Sequence, residues 1–68
     1  VDGIMSKLSN RQAQIVRMLV QGKSQKETAR QLGISYNTVR NHLRNARGRA
    51  DCQSSLQLAM KVRKEIDP

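Results

Sequence analysis

Apolar residues return at helical spacing in four stretches of the chain, and no stretch alternates with the period of two that a strand requires. The first stretch carries Ile15, Val16, Leu19 and Val20 on one side. Ser9 and Gln12 precede that stripe with the spacing of a capping box, and Leu8 stands ahead of them as a staple residue. Gln21-Gly22 closes it, glycine being free to take the left-handed C-cap conformation. The second stretch opens with another capping box, Ser24 with Glu27, turns Ala29 and Leu32 inward, and stops at Gly33. Ile34 plugs the turn and Ser35 caps the third stretch. After a turn at Asp51-Cys52-Gln53, Ser54 with Gln57 makes a third capping box for the last stretch. The expected fold is all-α: a four-helix bundle with helices at about 10–21, 25–32, 36–49 and 55–66. Residues 1–68 form one domain, with 1–7 and 67–68 expected to be flexible. The expected core is Leu8, Ile15, Val16, Leu19, Ala29, Leu32, Ile34, Val39, Leu43, Leu58 and Val62.

Ala29, Gly33 and Val39 have the spacing of a helix-turn-helix. Alanine allows a close helix crossing, glycine permits the tight turn, and valine packs the second helix of the pair on the first. A plain helical hairpin would show much of the same pattern. The third helix separates the two readings. At about 100° per residue, Val39, Leu43, Ala46 and Ala50 fall on one side. Asn37, Arg40, Asn41, Arg44, Asn45 and Arg47 fall on the other: three Arg, three Asn and no acid. A solvated helix face usually mixes acids with bases. Arg and Asn alone are the side chains that pair bidentately with guanine and adenine in the major groove.

Charge agrees with that reading. Thirteen Lys and Arg against five Asp and Glu leave a formal charge of +8, which suits a polyanionic partner. A membrane surface would need a bulkier apolar face than Val39, Leu43 and two alanines offer. No apolar run approaches the roughly 20 residues of a membrane span. Carboxylates are few and scattered, no nucleophile has a base at plausible spacing, and no glycine-rich phosphate loop is present, so an enzyme is not expected. Cys52 and His42 fall short of the about four ligands of a structural zinc site. No metal or cofactor is expected. Cys52 reads as a small apolar residue near the turn, and its lone thiol suits a reducing cytoplasm. His42 reads as a partly buried structural imidazole.

Leu8-Ser9-Asn10-Arg11, Gln21-Gly22-Lys23-Ser24, Ile34-Ser35 and Thr38-Val39-Arg40-Asn41-His42 resemble the LuxR/FixJ-type (GerE-like) helix-turn-helix from Leu8 to about Ile66. Tyr36-Asn37-Thr38-Val39-Arg40 with Leu43-Arg44 is most similar to quorum-sensing members. The resemblance implies a bacterial transcriptional regulator that binds double-stranded DNA, with Arg40, Asn41 and Arg44 on base edges. It further implies phosphate contacts from Lys23, Ser24 and Lys26 and from Ser35, Tyr36 and Thr38. Asn37, Asn45 and Arg47 of the outer face are assigned to phosphate with them. Tyr36 suits equally a phosphate contact or a cover for the first turn. Some positions depart from the family pattern. Thr28 and Asp51 stand where Ile and Gly are usual, Ala46 and Ala50 replace larger aliphatics, and Gly48 lies inside the third helix. Loose packing or fraying is expected at that helix's end.

The last helix carries two apolar groups. Leu58, Val62 and Ile66, with Ala59, can pack inward, while Leu56 and Met60 lie beyond them, separated by the direction Arg63 takes. That surplus, and the resemblance, imply a homodimer through Leu56, Met60 and Arg63. RNA polymerase and a sensing or receiver domain ahead of Val1 are further candidate partners. Two other readings stand beside this one. Thr38-Val39-Arg40 with Arg44, Ala46-Arg47 and Arg49 is also similar to region 4 of extracytoplasmic-type sigma factors, although that region ends at its recognition helix. The other is a helical adaptor.

Overall fold

Three serines start three of the helices. In the computed structural model, which describes residues 3–66, Ser9 Oγ accepts from the Gln12 N–H at 3.1 Å and Gln12 Oε1 accepts from the Ser9 N–H at 3.0 Å. Ser24 and Glu27 repeat the exchange. Ser35 Oγ accepts from the Thr38 N–H. These caps satisfy first-turn donors that have no partner inside a helix. Among the described residues there are five helices: α1 (Ile4–Lys7), α2 (Asn10–Val20), α3 (Gln25–Leu32), α4 (Tyr36–Ala50) and α5 (Ser55–Ile66). The last four match the four expected helices.

α1 is a helix that the apolar periodicity did not announce. Ile4–Lys7 makes one helical turn, held by long-range contacts that have no local signature. The Glu65 carboxylate, near the end of α5, accepts from the N–H groups of Ile4 and Met5. Arg49 of α4 donates to the Lys7 carbonyl at the other end. Residues 1, 2, 67 and 68 lie outside the described residues.

The ends of α2, α3 and α4 close alike. Each has a residue in the left-handed region: Gly22, Gly33 and Asp51. Each is followed by an N–H that reaches five residues back, from Lys23 to Met18, Ile34 to Ala29 and Cys52 to Arg47. The end of α4, where loose packing or fraying was expected, is helical. The helix keeps its pattern through Ala50, one residue past the expected end, because Ala46 and Ala50 are buried and the closure at Asp51 completes the last turn. The capping box at Ser54 forms by half. Ser54 Oγ accepts from the Gln57 N–H, but Gln57 Oε1 takes the Gln53 N–H at 2.7 Å.

The core joins Leu8, Ile15 and Val16 to Ala29, to Val39, Leu43, Ala46 and Ala50 of α4, and to Leu58 and Val62 of α5. Leu19, Leu32 and Ile34, expected inside, are half-buried at its edge. Thr28 is fully buried where a larger aliphatic was the family norm, and its hydroxyl donates to the Ser24 carbonyl at 2.9 Å. It thus packs as a β-branched apolar residue with its one polar group satisfied. α4 spans this core with one side and leaves the other to solvent.

Candidate nucleic-acid interface

The apolar period of α4 decides which of its side chains face out. With Val39, Leu43, Ala46 and Ala50 buried, geometry turns Asn37, Arg40, Asn41 and Arg44 to the opposite side, where all four are exposed. With half-buried Arg47 they line a concave notch of about 390 Å³. Asn45 is exposed but lies outside the notch lining. No acid occurs anywhere in α4, so the notch holds three guanidinium groups and two amides with no carboxylate from their own helix.

The first turn of α4 adds backbone donors beside the notch. Ser35 Oγ covers the Thr38 N–H, and Ser35 and Thr38 hydroxyls lie 2.8 Å apart, sharing one hydrogen. One hydroxyl hydrogen of that pair is not used between them. The single cap leaves earlier N–H groups of the turn to solvent or to an anion. Tyr36 is 41% exposed. Its ring lies 5.8 Å from the Arg40 guanidinium, one turn on, and 6.0 Å from the Lys26 ammonium of α3. The N-terminus of α3 therefore adjoins that of α4, and Lys26 joins the site.

Ser24 is exposed but its hydroxyl already serves the α3 cap. Lys23 is half-buried and lines grooves on the α2 side, one with Arg17, Met18 and Leu32, the other with Leu19, Ser24 and Leu56. It does not line the α4 notch. On α5, Leu56 and Met60 are 72% and 56% exposed, and Arg63 is exposed on the same side. Ile66, expected to pack inward, is 52% exposed. It sits at the last position of α5, one turn past the buried Val62. The apolar surplus of α5 is thus larger than expected.

Spacing within α4 could have revealed the Tyr36–Arg40 pair, since i and i+4 meet on a helix. No spacing signals that Lys26 joins them, because that is a contact between helices. Among the described residues no helix is long and apolar enough to cross a membrane, and no three His, Cys, Asp or Glu side chains gather as a metal site.

Comparison with known proteins bears on this geometry. A family model described as bacterial regulatory proteins, luxR family, matches residues 6–62. The chain is similar to the spore germination protein GerE of Bacillus subtilis (strain 168), with 49% identity over 39 residues. That alignment covers 57% of this chain and 53% of GerE, so the chain spans about half the length of that curated relative. No solved structure matches. The family match takes in the helix-turn-helix, the whole notch and the buried part of α5. The chain belongs to the luxR family of bacterial regulatory proteins, a family of DNA-binding helix-turn-helix regulators and not of enzymes.

Proposed function

We propose that this domain reads duplex DNA sequence-specifically for a transcriptional regulator, with α4 in the major groove. The observation that carries the proposal is the notch of exposed Asn37, Arg40, Asn41 and Arg44 with half-buried Arg47, free of acid along its helix. Arg40, Asn41 and Arg44 take base edges. Lys26, Ser35, Thr38, Asn37, Asn45 and Arg47 take phosphates on either side, and Lys23 and Ser24, on the α2 side of α3, take phosphate away from the notch. Two copies pair through Leu56, Met60 and Arg63 and place two recognition helices about one DNA turn apart on an inverted repeat. The sigma-factor reading finds less support, since α5 is a full helix after α4 and contributes Leu58 and Val62 to the core.

Selection of bound sequences from a random duplex library tests this. Enrichment of an inverted repeat is expected, and recovery without any enriched sequence would exclude specific readout. On the selected operator, Arg44→Ala should cost about 1–3 kcal/mol and relax preference at one base pair. An equal loss on every single-base variant would instead assign Arg44 to phosphate.

A further inference from the structure

Tyr36 lies outside the lining of the notch, yet its ring meets a cation from each of the two helices that face DNA. We propose that Tyr36 is a positioning residue: its aromatic face, rather than its hydroxyl, holds Arg40 in the pose that reads a base and keeps Lys26 beside it. The inference rests on the reading of Arg40 as a base-contacting residue.

An exposed arginine samples many rotamers, and a bidentate contact needs one of them. Arg40 leaves the helix one turn after Tyr36, where i and i+4 side chains meet. The ring then offers its negative face at 5.8 Å, within the range of cation–π attraction. Lys26 arrives from α3 at 6.0 Å. One ring therefore ties a base-reading group to a phosphate-binding group across the turn of the motif. Two like charges beside one another would otherwise spread apart, and the ring gives both a common attractive surface. Each contact is at the surface, so its effect is modest: about two- to five-fold in a binding constant.

The chain has one Tyr and no Phe or Trp, which makes the test clean. In the free protein, the Arg40 Hδ protons should show an upfield ring-current shift by NMR. Tyr36→Phe should keep it and Tyr36→Leu should abolish it, with circular dichroism and melting temperature monitoring the fold in both. On DNA, binding to all single-base operator variants is then measured for wild type, Arg40→Ala, Tyr36→Phe and Tyr36→Leu. The expected result is that Tyr36→Leu weakens discrimination two- to five-fold at the base pair Arg40→Ala identifies, while Tyr36→Phe stays near wild type. If Tyr36→Phe loses as much as Tyr36→Leu, the hydroxyl acts and the proposal is overturned. If Tyr36→Leu weakens all variants equally, or changes nothing, it is overturned as well, with base reading by Arg40 left standing. If Arg40→Ala itself changes no base preference, the reading beneath the proposal fails, and the ring-current shift then reports only a packed surface pair.

Discussion

Asp51 and Gly48 each occupy a backbone setting that suits the other better. Asp51 has φ 55° at the left-handed C-cap of α4, where an L side chain is strained by roughly 1–2 kcal/mol and Asp sits at the low end of that range. Gly48 lies inside the helix, exposed, and a Cβ added there would meet nothing within 4 Å. A helix-interior glycine costs about 0.5–1 kcal/mol relative to alanine. Asp51→Gly and Gly48→Ala are each expected to stabilise the domain by about 0.5–1 kcal/mol. In a chain this small, 1 kcal/mol corresponds to a rise in melting temperature of about 4–8 °C. Thermal unfolding by circular dichroism checks both. A fall for Asp51→Gly would mean that its carboxylate makes a contact worth more than the strain. Gly33 is the opposite case: with φ 69° in the turn between α3 and α4, Gly33→Ala should destabilise.

α2 to α5 were legible in the sequence for two local reasons. Their apolar residues recur at helical spacing, and each begins with a serine placed three residues before a backbone N–H it can cap. The outer face of α4 was legible because burial of Val39, Leu43, Ala46 and Ala50 leaves only one side for Arg40, Asn41 and Arg44. α1 was not legible. Four residues hold no period, and the carboxylate on its first N–H groups belongs to Glu65, on the last turn of α5. Lys26 beside Tyr36 escaped for the same reason, being a tertiary contact. Ile66 was misplaced because spacing places a residue on a face but does not say whether a neighbouring helix extends far enough to cover it. The dependence of α1 on Glu65 can be measured. Glu65→Ala is expected to cost about 0.5–1 kcal/mol, in the range of a lost N-terminal cap. Hydrogen exchange should quicken at Ile4 and Met5, while amides of α4 keep their protection. Slowed or unchanged exchange at those two amides would sink this account of α1.

At the scale of the whole molecule, a charge of +8 and an uncovered apolar strip on α5 are the features on which the two proposed partners, DNA and a second copy, rest. The polyanion is addressed through salt. Log affinity should fall with log salt by about 0.9 for each phosphate neutralised, and Lys26→Ala should flatten that slope by about one contact on all sequences alike. Affinity unchanged between low and physiological salt would exclude phosphate neutralisation. The second copy is addressed through Leu56 and Met60. They lie one turn apart, 72% and 56% exposed, with Ile66 52% exposed further along α5. So small a domain has no second core to cover them, and this strip is the surface through which the proposed pairing would run. The proposed pairing about so short a strip would bury little area and would therefore form when DNA already holds both copies at high local concentration. Leu56→Lys with Met60→Lys places four added charges across the two-fold contact while leaving the buried Leu58 and Val62 untouched. Helicity and melting temperature should stay near wild type. Binding to a single half-site should survive, helped slightly by the added positive charge. Cooperative binding to an operator with two half-sites should disappear. Cooperativity that persists in this double variant would exclude α5 as the contact between copies.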